Sequence, residues 1–279
     1  MARLNHRLPD NAPGELFVDD SCIDCDLCRE LSPLFGYSQS GQSRVDRQPR
    51  TEAEWHRAKL ALVACPTASI GAARSAKEEA RAFPVPLDGP VHFAGYASED
   101  SYGAHAYFVR RAEGNLLVDS PRAAEPLLKR LEALGGVRTL FLTHRDDVAD
   151  HAALRERFGC ERVMHRADAV IPVERAIDEL VELSPGVLAI PVPGHTAGSC
   201  ALLVDGKYLF TGDHLWASPE GRLEMGRSVC WYSWTEQKKS LRRLLDFDFE
   251  WVLPGHGRSL HLAARAMRRE LEACVERHG

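Results

Sequence analysis

The chain has 279 residues, enough for one large domain or two smaller ones with a real core. Hydrophobic residues make up 44% and the formal net charge is −5, an ordinary globular composition that gives no electrostatic reason to bind nucleic acid. No apolar run approaches the roughly 20 residues of a membrane span, and the opening MARLNHRLPDNAPGELF lacks the apolar core of an export signal.

The first 80 residues form a short part of the chain, rich in charge, that holds a cysteine pattern. SCIDCDLCRELSP places Cys22, Cys25 and Cys28 at C-x-x-C-x-x-C spacing, and VACPTASI adds Cys65 ahead of Pro66. Such a compact run delivers three thiolates to one iron–sulfur cubane. In the two-cluster pattern a fourth Cys-Pro follows four residues later and serves the other cluster. Here that place is Ser32-Pro33, so one cluster is expected, with Cys65 as remote fourth ligand. The alternative is a tetrahedral zinc site, which usually uses paired C-x-x-C knuckles. Cys160, Cys200, Cys230 and Cys274 form no pattern, which fits a reducing cytoplasm better than a disulfide framework. Glu15, Asp19, Asp20, Asp24, Asp26 and Glu30 surround the motif and either steer a basic electron-transfer partner or serve solubility.

FPVPLDGP, residues 83–90, reads as a linker between a first unit (1–82) and a second (91–279). Beyond it, apolar runs alternate with helical patterns. NLLVDSP, VRTLFLT and GVLAIPVPG read as strands, and AAEPLLKRLEAL and DHAALRERFG as amphipathic helices, the latter closed by Gly159. CALLVDGKYLFTGD reads as a hairpin turning at Asp205-Gly206. TEQKKSLRRLLDF is a helix, EWVLPGHG a strand running into a loop, and ARAMRRELEACVERHG a helix with one solvated face. The alternation argues for a layered α/β domain.

Metal-capable side chains recur where these strands end. THRDDVADH carries His144, Asp146, Asp147, Asp150 and His151; PVPGHTAGS carries His195; LFTGDHLW carries Asp213 beside His214; LPGHGR carries His256. Imidazoles and carboxylates together suit zinc, iron or manganese. The aromatic EMGRSVCWYSW, residues 224–234, is placed between Asp213 and His256 in the chain and either lines a substrate cleft or packs on the core, the cleft being preferred.

Residues 14–75 resemble a monocluster bacterial-type [4Fe-4S] ferredoxin, an expected small α+β unit. Residues 91–279, through LLVDS, LTH, PGHTAGS, FTGD and LPGHG in order, resemble the metallo-β-lactamase superfamily. That resemblance implies an αβ/βα sandwich with one or two metal ions between its sheets. Its first motif normally reads H-x-H-x-D-H. Here Asp146 stands in place of the second histidine, and Asp150-His151 comes two residues late, read as a loop insertion that leaves Asp147 toward solvent or behind the ligands. On the family pattern His144, Asp146 and His195 bind one metal, Asp150, His151 and His256 the other, and Asp213 bridges them. His214 and Asp119 are expected to support the ligands from behind. A carboxylate at 146 shifts preference toward iron or manganese, as in the flavodiiron branch, whose members carry Glu there.

The resemblance implies a hydrolase of the glyoxalase II kind, in which metal-bound hydroxide attacks an ester, thioester or amide carbonyl and Asp213 and Asp150 serve catalysis. Two alternatives stand beside it: an oxidoreductase in which the cluster passes electrons to an iron site, and a non-catalytic redox sensor. The expected partner is a small-molecule substrate, with no nucleic acid and no membrane.

Overall fold

The computed structural model describes residues 2–278. Two sheets face each other. One has seven strands, in the order Arg175–Ile177, Glu161–His165, Thr139–Phe141, Leu116–Val118, Tyr107–Val109, Val91–Phe93 and Val85–Asp88. The other has six, in the order Val181–Ser184, Val187–Pro191, Cys200–Val204, Tyr208–Gly212, Trp251–Pro254 and Leu260–His261.

The strand sequences explain the layering. Cys200–Val204 and Tyr208–Gly212 are buried along their whole length, as continuous apolar runs must be when both faces are covered. Leu202, Val204 and Phe210 face the first sheet and join a core with Leu117, Leu140 and Phe141. Their neighbours Ala201, Leu203 and Leu209 point the other way, against Leu241 of the helix Trp234–Arg243 and Met267 and Leu271 of the helix Ala264–His278. Helix Glu125–Ala133 covers the outer side of the first sheet through Leu127, Leu128 and Leu131. The order is therefore helix, sheet, sheet, helix, the sandwich expected from the sequence. The hairpin turns at Asp205 and Gly206, both at positive φ. Among the described residues no helix is long and apolar enough to cross a membrane.

Residues 83–90 are not a free linker. Val85–Asp88 is the edge strand of the seven-stranded sheet, paired antiparallel with Val91–Phe93, its register shifting between Pro86 and Asp88. An edge strand tolerates the missing N–H of Pro86, which explains how a proline-rich stretch joins a sheet.

The N-terminal unit packs its own small core around Leu16, Val18, Trp55 and Ala58, with the helix Glu52–Ala64 capped by Thr51. It is sewn to the sandwich by polar contacts. Ala97 N donates to Ala64 O, Arg122 Nη2 donates to Val63 O and Cys65 O, and Ser259 N and Oγ donate to Glu30 Oε1. The close approach is tightest at Gly103, where a Cβ would stand 2.6 Å from Cys25 Cβ.

Candidate metal centre and cysteine cradle

Cys22, Cys25, Cys28 and Cys65 come together around one small cavity. The loop carrying the first three turns through positive φ at Asp24 and Asp26, and Ala68 does the same after Cys65. Ser43 N donates to Cys22 Sγ at 3.4 Å and Ser69 N to Cys65 Sγ at 3.3 Å. Burial pushes the Cys25 thiol up to about 12 and raises Cys28 further. A thiolate in this cradle would therefore need the charge of a bound cluster to stabilise it.

The acids around this motif are mostly committed elsewhere. Asp19 is buried and accepts from Ser21, Asp24 and Asp26 pair with buried Arg29, and Glu30 bonds Ser259. Of the expected acidic patch only Asp19 is buried, while Glu15, Asp20 and Asp24 stay exposed.

In the sandwich, loops at the strand ends converge on Asp213. Its Oδ2 lies 3.8 Å from His144 Nε2, 3.7 Å from His195 Nε2 and 3.9 Å from His256 Nε2. Asp146 Oδ2 lies 3.4 Å from His195 Nε2 and 3.9 Å from His144 Nε2. Donors on one tetrahedral ion, with bonds of about 2.0–2.2 Å, stand roughly 3.3–3.6 Å apart, so this spacing suits metal binding. Two of the imidazoles are aimed from behind. His195 Nδ1 donates to Val229 O, and Asp119 accepts from both Thr143 N and Thr143 Oγ1, whose oxygen faces His144 Nδ1. The Nε2 atoms of His144 and His195 are consequently bare: both are buried with no hydrogen-bond partner, as are Asp213 Oδ1 and Asp147 Oδ2. Such orphaned atoms are costly unless an ion satisfies them.

Burial would raise the Asp213 carboxyl, but His256, His144 and His195 outweigh it and hold the group below its ordinary value. Burial lowers His144. Burial and then the neighbouring Asp213, Asp119 and Asp146 push Asp147 well above the carboxylate range. His214, buried behind the site, is pushed down to about 3 by desolvation and then by His195. Gly255 is needed here, because a Cβ would meet Asp213 Oδ1 at 2.7 Å and Asp147 Oδ2 at 2.9 Å.

The structure places the two halves of THRDDVADH differently. Asp150 sits at the start of the helix His151–Phe158 and its Oδ2 accepts from Ala123 N at 2.7 Å. His151 Nδ1 lies 3.0 Å from Arg162 Nη1. Neither joins the His144–His195–Asp213 cluster. Asp147, read as facing solvent or lying behind the ligands, is buried and forms a potential metal-holding group with His144 and Asp213. The signal that marks it is its place before Val148, which packs on the core and so turns its neighbour toward the strand end.

A cleft of about 650 Å³ opens over the centre. Trp216, Val229 and Trp231 form one side, in keeping with the expected aromatic lining, and His195, Asp213 and His256 its floor. The opposite wall comes from the N-terminal unit: Asp24, Cys25 and Asp26.

Comparison with known proteins agrees with this architecture. Residues 18–72 match the family model described as the 4Fe-4S single cluster domain of Ferredoxin I, and residues 93–275 match the metallo-beta-lactamase superfamily. A hydroxyacylglutathione hydrolase of Rhizobium etli is 37% identical over 126 residues, 42% of this chain and 49% of that protein. One from Rhizobium meliloti is 33% identical over 144 residues, 48% of this chain and 56% of that protein. The chain thus spans about half the length of the curated relatives it matches. A metallo-beta-lactamase from Hirschia baltica superposes with TM-score 0.53 at 16% identity, over 68% of this chain and 96% of the other. ETHE1 from Myxococcus xanthus gives 0.50 at 21% identity, over 66% of this chain and 84% of the other; both likenesses concern the fold. The chain carries an N-terminal single-cluster ferredoxin domain and belongs to the metallo-beta-lactamase superfamily.

Proposed function

We propose that the protein is a metal-dependent hydrolase of acyl compounds whose cleft is walled on one side by an iron–sulfur unit. The observation that carries this reading is the convergence of three histidine Nε2 atoms on one carboxylate oxygen, Asp213 Oδ2. His144, Asp146, His195 and Asp213 would hold one ion, and Asp147 and His256, which also border Asp213, are the candidates for holding a second. Cys22, Cys25, Cys28 and Cys65 would hold a [4Fe-4S] cluster. Ions at such a centre supply Lewis acidity and make a nucleophile of water near neutral pH.

The chain's own residues do the rest. Asp213, kept ionised by the surrounding imidazoles, would orient the attacking water by accepting a hydrogen bond from it. His195 and His144 are fixed in the tautomer that presents Nε2 to the cleft. The aromatic side of the cleft, with Trp216 and Trp231, holds the acyl body and displaces bulk water. Thioesters, esters and amides all place a carbonyl where these groups act.

A second reading, electron transfer from the cluster to an iron centre, draws support from Cys25 and His256 facing the same cleft. One experiment separates the two. Protein purified without oxygen is assayed for metal content and for turnover of a thioester panel, with and without reductant. Cleavage indifferent to reductant supports hydrolysis. Turnover only with reductant, together with iron beyond the cluster's own, would replace it with the redox reading.

A further inference from the structure

We infer that the cleft takes a substrate whose tail is cationic and flanked by an apolar or aromatic body, and that it disfavours an anionic tail such as a glutathionyl group. The inference deepens the hydrolase reading by naming the substrate class for that site.

Charge is the first ground. Asp24, Asp26 and Asp100 line the cleft away from the clustered histidines, and no lysine or arginine is among its described lining residues. Arg29 pairs with Asp24 and Asp26 but lies buried behind them, outside the cleft, and one guanidinium offsets only one of the two carboxylates. Cys25 adds to the same wall, and four thiolates leave a bound cluster with net negative charge. Nearer the floor, Asp146, Asp147 and Asp213 would offset most of the charge of bound ions. Away from the metal centre, a carboxylate-bearing tail meets no lysine or arginine among the described lining residues, whereas an ammonium meets several carboxylates.

Shape is the second ground. Tyr102 and Trp231 are large aromatic side chains left 57% and 61% exposed, and both line the cleft. They flank the centre: the Tyr102 ring lies 6.3 Å from that of His256, and the Trp231 ring 6.1 Å from that of His195. Both are held there at a cost or by backbone bonds. Tyr102 adopts φ +48, a left-handed conformation unfavourable for a bulky residue. Trp231 N donates to His195 O. An aromatic face beside carboxylates is the setting in which substituted ammonium groups bind. The aromatic pair thus stands over a built centre, in which His195 is 2% exposed and turns its Nε2 to the metal position.

The test uses the full chain carrying its cluster and metals, and two uncleavable probes of equal size, phenylbutyl-trimethylammonium and phenylbutane sulfonate. Calorimetry is expected to give at least about tenfold tighter binding of the ammonium probe, a preference that shrinks with added salt because it is Coulombic. D100N is expected to narrow the preference about threefold, one charge of several having gone, and W231A to weaken both probes. Equal binding, tighter binding of the sulfonate, or binding of neither probe overturns the inference. Turnover is read separately with benzoylthiocholine: an ammonium preference without cleavage leaves this inference standing and removes the hydrolase reading beneath it.

Discussion

The Thr143 hydroxyl lies 3.0 Å from Nδ1 of His144. Because that hydroxyl donates to Asp119, its oxygen is left to accept from Nδ1–H, and Nε2 keeps its lone pair for the cleft. A buried acid thus sets the tautomer of a metal-facing histidine through one intervening threonine. T143V is expected to lower metal affinity by roughly 10- to 100-fold, the range for loss of a supporting hydrogen bond. Competition with a chelator during metal titration measures it; unchanged affinity would mean that the ring is oriented by packing alone.

The two acid positions in THRDDVADH make opposite predictions. D147A is expected to reduce bound metal and activity, because its carboxylate stands with His144 and Asp213. D150A leaves Ala123 N without its partner, a loss of about 1 kcal/mol in stability, with metal content intact. H151A is likewise expected to retain metal. Elemental analysis alongside denaturant melts separates the effects, and metal loss in D150A or H151A but not in D147A would restore the inserted-loop reading.

C65S tests what the iron–sulfur unit does for the cleft. Arg122 donates to Cys65 O, and Cys25 forms part of the cleft wall. Loss of the cluster is expected to raise KM severalfold while kcat changes less, because the wall loosens but the histidine cluster persists. Loss of kcat with KM unchanged would favour the redox reading.

Acid stability has a local contributor. Arg162, through its side chain and its backbone N–H, holds the Glu174 carboxyl below the usual range despite some desolvation. A carboxylate depressed in the folded state stabilises fully above its unfolded value, about 4.3 for glutamate, and loses that contribution as the pH falls through the lower folded value. E174Q is therefore expected to lower the melting temperature at neutral pH and to reduce the difference as the pH is taken below about 4. A difference that grows on acidification would contradict the assignment.

Much of this was legible in the sequence because strands end where ligands begin. The apolar runs before His144, His195, Asp213 and His256 are buried strands, and the topology gathers their ends at one edge of the sandwich. The Asp205-Gly206 turn and the Gly159 helix stop were legible for a local reason, since both depend on backbone conformations that few residues adopt. Asp147 was hidden because motif spacing counts residues, whereas the loop's path is set by Val148 packing on the core. Asp150 and His151 looked like ligands by type, but a helix start and an arginine engage them. The strand within 83–90 was masked by its prolines, which only an edge position tolerates. The shared cleft wall depends on how two units meet, and no local pattern encodes that.

The central claim is that His144, His195 and His256 meet around Asp213 to hold metal. Anomalous diffraction at metal absorption edges, on crystals of the anaerobically purified full chain, tests it most directly. The account predicts a peak bonded to Nε2 of His144, Nε2 of His195 and Asp213, separate from the iron at the four cysteines. A structure of metal-replete protein with no peak there, or with one at Asp150 and His151, would contradict it.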